Sequence, residues 1–185
     1  MKQFILFISI LTMMAFSLAE EKKPIEYNER NELTWKDYQA RSNKSSYFKA
    51  LTVTKITFKG SSNGKIVQLS IKNTFEPHNS WTKNKESNAL LEHERLHFHI
   101  SELYARKLRK EILETEFTAR EQKLMNEISR LYEDKMKELS QYQRQYDRET
   151  DHSTIEEKQN EWELKIKSEL IALKRFAYHT IEMEL

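Results

Sequence analysis

The spacing of apolar residues changes character near residue 78. Ahead of that point, short β-branched and aromatic runs are separated by turn residues. Beyond it, apolar positions recur every three or four residues. Both glycines and both prolines lie in the front part, so nothing after Pro77 breaks a helix. The pattern predicts an α+β chain, strand-rich over 20–78 and helical over 84–185.

In the front part, Leu33-Thr34-Trp35 followed by Asp37-Tyr38 reads as a short strand and turn. Tyr47, Val53, Ile56 and Phe58, set among threonines, mark a strand. Gly60-Ser61-Ser62-Asn63-Gly64 supplies a turn, and Ile66, Val67, Leu69 and Ile71 carry the returning strand on through Phe75. The expected layer is a small antiparallel hairpin with a further strand near Thr34, ended by Pro77.

The back part opens with a helix that Asn84 or Ser87 can cap. On a helical wheel Leu90, Leu96, Ile100, Leu103 and Leu108 form one arc, with His93 and His97 in its middle and His99 on the other side. From 102 to about 145 the chain is charged, with a thin stripe of Leu108, Ile112, Leu124, Ile128, Leu131 and Leu139. A long helical hairpin turning near 114–118 is expected, with one continuous helix as the alternative. The polar run from Tyr146 to Thr154 reads as a loop. Ser153 or Thr154 would then cap a C-terminal helix whose inner face carries Trp162, Ile166, Leu170 and Leu173.

Composition narrows the class. With 38% hydrophobic residues the chain can build one modest core. Thirty-one basic residues against 29 acidic ones give no field for nucleic acid or an anionic membrane. Met1-Lys2-Gln3, the apolar run Phe4 to Phe16 and then Ser17-Leu18-Ala19 have the form of a secretory signal peptide over 1–19, cleaved after Ala19. An uncleaved anchor is the alternative. Cysteine is absent, which removes both a lipid-attachment site and disulfides. The expectation is a single domain over 20–185 in the periplasm or outside the cell, with no membrane span after cleavage.

Residues 93–97 read His-Glu-Arg-Leu-His. Histidines four apart on a helix sit one turn above each other, so both imidazoles can reach one metal ion. Glu94 lies about 100° round from His93, suited to hold a water rather than to ligate. The pattern H-E-x-x-H thus encodes two zinc ligands, His93 and His97, and a general base, Glu94. The alternative for a histidine on an apolar face is a core residue. Two of them one turn apart would each bury a ring nitrogen needing a partner, and one metal ion satisfies both.

A catalytic zinc takes a third protein ligand and keeps one position open. His78, His99, His152 and His179 are the remaining histidines. The polar run holds His152 together with the carboxylates Asp147, Glu149 and Asp151, and spacing alone does not choose among them. Leu103 stands six residues past His97, which excludes the longer zincin pattern with a third histidine there. Glu111, Glu114 and Glu116 are further carboxylate candidates.

Leu33-Thr34-Trp35-Lys36-Asp37-Tyr38, Ser80-Trp81, the stretch from Leu90 through His93-Glu94-Arg95-Leu96-His97-Phe98 to Leu108, and Tyr146-Asp147-Arg148-Glu149-Thr150-Asp151-His152 with Gln159 and Trp162 occur in one order. This set resembles the bacterial domain-of-unknown-function family 922 (DUF922), described as predicted secreted zinc-dependent proteases. The resemblance covers nearly all of 20–185 and implies a zincin-like helix with His152 opposite His93 and His97 as third ligand. The chain departs from the family pattern at His99, where the family has Asp, and at Ser153, where it tends to have Gly.

Together these readings predict an exported hydrolase binding one zinc ion and acting on a peptide or protein. Tyr146 is the candidate to assist the scissile carbonyl, with a packing tyrosine as the alternative. Asp147 would orient a ligand histidine, and Thr150 would fix the loop. The competing expectation is a non-catalytic exported protein in which zinc only ties loop to helix.

Overall fold

The computed structural model describes residues 23–28, 32–117 and 121–184. The signal-like segment 1–19 lies outside the described residues. The order is β1 (Ile25–Glu26), β2 (Ala50–Leu51), β3 (Thr54–Ser62), β4 (Ile66–Phe75), β5 (Trp81–Thr82), α1 (Asn88–Glu114), α2 (Glu121–Thr150), α3 (Glu156–Ala172), a 3-10 turn (Lys174–Phe176) and β6 (Thr180–Glu184). The fold is α+β, with small antiparallel sheets on three helices.

The expected hairpin is β3 and β4, in antiparallel register from Thr54↔Phe75 to Ser62↔Val67. Gly64 sits at its tip with φ +83°, a conformation that suits glycine. Along β4 every second side chain is buried: Val67, Leu69, Ile71, Asn73 and Phe75. That period of two lays one face of the sheet on α1. The other edge of β4 takes β6 over Ile66–Ser70 and β1 over Thr74–Phe75. β2 pairs with β5 in a separate two-stranded ribbon.

Three local expectations need correction. Residues 35–37 form a turn rather than a strand, which the Thr34 N–H and hydroxyl stabilise by donating to Asp37 Oδ2 at 2.8 Å each. The chain does not stay helical to its end. Thr180–Glu184 alternates polar and apolar, and Ile181 pairs with Leu69 in a fourth strand of the main sheet. Finally, Tyr146–Thr150 is the last turn of α2, not a loop. Tyr146 is fully buried, and the Thr150 hydroxyl donates to the Tyr146 carbonyl at 2.8 Å. Polar composition suggested solvent there, but Tyr146 and Thr150 are buried and Asp147 is half-buried.

α1 occupies the centre, with the sheet on one side and α2 and α3 on the other. Its N-cap is Ser87, whose Oγ accepts from the Leu90 N–H at 3.2 Å. α1 ends at Glu114, inside the window expected for the hairpin turn. α2 returns with Leu124 and Ile128 buried and Leu131, Met136, Leu139 and Tyr142 packed on the same core. Asp151, His152 and Ser153 then take positive φ values of 44°, 51° and 78° and turn the chain into α3. Ile155 occupies the N-cap without a side-chain hydrogen bond, so neither Ser153 nor Thr154 caps that helix. Among the described residues no helix is long and apolar enough to cross a membrane.

Candidate metal centre

The apolar stripe of α2 changes to Gln143 and Asp147 where it crosses His93 and His97 of α1. His93 Nε2 and His97 Nε2 both point at Asp147 Oδ1, at 3.2 and 3.0 Å. The opposite ring nitrogens are held by amide oxygens. His93 Nδ1 lies 3.3 Å from Gln159 Oε1, and His97 Nδ1 bonds Gln143 Oε1.

The amide orientations are themselves fixed. Gln159 Nε2 donates to Glu163 Oε1 at 2.9 Å, and Gln143 Nε2 donates to the His97 carbonyl at 3.0 Å. An amide oxygen only accepts, so each Nδ1 must carry a proton. In the neutral rings the two Nε2 lone pairs are then left pointing at one place.

His93, His97 and Asp147 form a group that can hold a metal ion. The donor set fits a first-row divalent cation: two imidazoles and a carboxylate. Donors bonded at about 2.0–2.1 Å to a tetrahedral ion stand roughly 3.3 Å apart. The two nitrogen–oxygen separations come close to that.

Electrostatics agree with the geometry. Burial pushes the His93 imidazole below its usual value, against the Asp147 hydrogen bond. Burial also acts downward on His97, but the hydrogen bond it donates to Asp147 and the charges of Glu94 and Asp147 outweigh it and hold His97 at about 8. Burial acts upward on Asp147, yet its bonds to the two histidines depress it well below the usual carboxylate range. An anionic carboxylate at the focus of two imidazoles draws cations, whether protons or a metal.

The centre lies in the floor of a cleft of about 570 Å³. One wall is the segment 47–54, which includes β2 and leads into β3. The other is the α2 face of Met136, Leu139, Gln143 and Arg144. Glu94 is only 4% exposed and lines the same cleft. Its Oε2 accepts from Thr52 Oγ1 at 2.5 Å.

The remaining candidates separate cleanly. His152 lies on the cleft rim, with Nδ1 3.6 Å from Asp147 Oδ1 and its ring 5.0 Å from that of Phe48. It stands outside the compact group of His93, His97 and Asp147, at the edge of the same site beside Asp147. The reason is the extra helical turn: Asp147 projects from α2 one turn beyond Gln143, while His152 has already left the helix.

Tyr146 does not face the cleft. It is fully buried, stacks on His93 at 4.5 Å, and donates its hydroxyl to Gln159 Oε1 at 2.7 Å. It is a packing residue that sets the His93 ring plane, which removes it as a carbonyl donor. Thr150 fixes the end of α2. Glu149 accepts from Trp162 Nε1 at 2.8 Å, and Asp151 accepts from the Thr154 hydroxyl at 2.6 Å. Glu111 pairs with Lys135 and Glu114 with Arg175, away from the histidines. His99 is bonded to Tyr27, His179 to Glu26, and His78 is exposed.

Gln143 and Thr52 were not singled out by sequence reasoning, and Gln159 entered only among the residues that carry the family resemblance, with no role at the site. For Gln143 a signal existed: it stands four residues before Asp147 on the buried stripe, matching the spacing of the two histidines.

Residues 30–153, more than half of the chain, match the family described as a bacterial protein of unknown function, DUF922. The chain belongs to this family. No curated protein and no solved structure matches it. The DUF922 span takes in His93, Glu94, His97, Asp147 and His152, while Gln159 and α3 lie beyond it.

Proposed function

We propose that this DUF922 member is an exported metal-dependent hydrolase, with zinc as its ion and a peptide bond as its substrate. The observation that carries the reading is the placement of Glu94. It opens onto the same cleft floor as the two Nε2 atoms and Asp147. A purely structural site has no use for a second, non-ligating carboxylate, and commonly closes with four protein ligands.

His93 Nε2, His97 Nε2 and Asp147 Oδ1 would hold the ion. When bound, it supplies Lewis acidity that polarises a carbonyl and acidifies a water. Glu94 accepts a proton from the attacking water and returns it to the leaving amine. His152, on the rim of the same cleft, would be the group to assist the scissile carbonyl in place of the buried Tyr146. Gln143 and Gln159 keep both imidazoles in the ligating tautomer. Tyr47, Phe48 and Leu51 are exposed apolar side chains on one wall, and Met136 and Leu139 line the other. Such walls suit the side chains of a peptide. Export rests on the signal-like pattern of residues 1–19.

The test is a Glu94→Gln variant of the protein lacking residues 1–19, assayed on a peptide library. Loss of a general base costs about 10²–10⁴ in rate, and metal content should stay that of the wild type. Hydrolysis at the same rate in the variant would refute the reading. Metal binding with no hydrolysis in either protein would instead favour a structural metal.

A further inference from the structure

We infer that Thr52 is a positioning residue for Glu94, fixing one carboxylate oxygen so that the other faces the cleft. This deepens the hydrolase reading above and rests on it.

Thr52 lies in the link between β2 and β3. The backbone beside it is pinned: the Val53 N–H donates to Ser80 Oγ at 2.9 Å, and the Val53 carbonyl accepts from the Glu76 N–H at 2.9 Å. Side chains alternate along this extended segment. Ala50 joins the apolar cluster with Leu90 and Leu91 of α1, and Thr52, two residues on, reaches the same helix at Glu94.

The hydrogen bonds around Thr52 have a defined direction. A carboxylate only accepts, so the single Thr52 hydroxyl proton goes to Glu94 Oε2 at 2.5 Å. The contact between Tyr38 Oη and Thr52 Oγ1, at 2.8 Å, must then be donated by Tyr38. The chain therefore runs from Tyr38 to Thr52 to Glu94, and such chains polarise one another favourably. Tyr38 is locked by edge-to-face contacts with Trp35 at 4.8 Å and Phe75 at 5.0 Å. The position of the Glu94 carboxylate is thus tied to an aromatic cluster on the far side of the strand link.

Without this anchor a glutamate has three free torsions and strong attraction to the cationic side of the site. It would swing toward His97 or a bound cation and cease to be a free base. With Oε2 committed, Oε1 has no hydrogen-bond partner among the described residues and is not sealed from solvent. It is the oxygen left to take a proton.

The experiment compares Thr52→Val, which keeps the shape and removes the hydroxyl, with Thr52→Ser, which keeps the hydroxyl. Misplacing a catalytic group by about 1 Å costs on the order of 10² in rate. Thr52→Val should lower kcat about 10- to 100-fold with KM changed by less than about twofold, and Thr52→Ser should restore kcat to within about threefold. In a Glu94→Gln background Thr52→Val should cause no further loss. Tyr38→Phe, which keeps the ring packing, should give a smaller loss of the same kind.

A second readout needs no activity. The Glu94 carboxylate stretch of the metal-free protein, isolated as the infrared difference against Glu94→Gln, should shift in Thr52→Val and not in Thr52→Ser. Hydrolysis that depends on Glu94 but is unchanged in Thr52→Val overturns this inference and leaves the hydrolase reading intact. A carboxylate band unmoved by Thr52→Val also overturns it. A band shifted by Thr52→Val, in a protein whose wild type hydrolyses nothing, overturns the hydrolase reading, and with it the positioning of a general base by Thr52.

Discussion

α1 carries two buried polar clusters less than three turns apart, and they are built on opposite principles. Around Glu102 the charges are paired within the protein through one carboxylate oxygen, Oε1, while Oε2 is buried with no hydrogen-bond partner among the described residues. Glu102 Oε1 accepts from Arg106 Nε at 3.1 Å and Arg109 Nη1 at 3.0 Å. The other guanidinium donors go to backbone carbonyls: Arg106 to Leu170, and Arg109 to Ile71 at 2.7 Å and Phe176 at 2.9 Å. Ile71 sits in the gap on β4 between the stretches paired with β6 and β1, so Arg109 satisfies an edge carbonyl that no strand covers. Around His93, by contrast, the protein supplies amide oxygens that accept from the Nδ1 side of each ring and so fix it. The lone pairs converge on a shared point beside a cleft. Buried polarity that pins elements together ends on backbone. Buried polarity that can hold a cation leaves acceptors aimed at one another.

That contrast makes distinct predictions for the two clusters. The largest effect belongs to the closed one. Arg109→Met leaves Glu102 with one partner and two carbonyls without donors, so stability should fall by about 3–5 kcal/mol, measured by denaturant unfolding. Metal bound per folded molecule should not change. If that variant instead lost metal and kept its stability, the two clusters would not be separate.

Next comes the support of the open cluster. Gln159→Leu frees the His93 tautomer and should weaken zinc affinity about 10- to 100-fold, read by competition with a chromophoric chelator. An unchanged affinity would mean that the second ring bond plays no part in ligation.

The smallest effect is a pH dependence of the metal-free protein. His97 is raised from 6.5 to about 8, so its protonated form stabilises the fold. That contribution is complete below pH 6.5 and is lost as pH rises through about 8, up to about 2 kcal/mol. Thermal unfolding between pH 6.5 and 8.5 should show the decline, and saturating zinc should remove it, because the metal takes the place of the proton. A flat profile in the metal-free protein would contradict the Asp147–His97 coupling.

Much of this arrangement was legible in the sequence, for physical reasons that differ by residue. The β3–β4 hairpin showed itself through period-two alternation and Asn63-Gly64, and α1 through a 3.6-residue apolar arc. The pair His93 and His97 was visible because spacing on a helix is a local property. β6 was missed because Ile181 and Met183 are only two apolar residues at the end of a helical half, and the partner that makes them a strand, β4, lies more than a hundred residues earlier. Asp147 was read as a loop residue because Tyr146–Thr150 is polar. Nothing local shows that those polar groups face His93, Gln159 and Trp162 rather than water. Thr52 had no signal at all, since its partner Glu94 is set by packing across the strand link.

The central claim is that His93, His97 and Asp147 form a metal centre open to the cleft. Zinc titration of the metal-free protein tests it most directly, with wild type, Asp147→Ala and His152→Ala compared at one pH. One zinc per chain should bind the wild type, His152→Ala should bind it with nearly the same affinity, and Asp147→Ala should bind it far more weakly. Loss of binding in His152→Ala with retention in Asp147→Ala would contradict the claim.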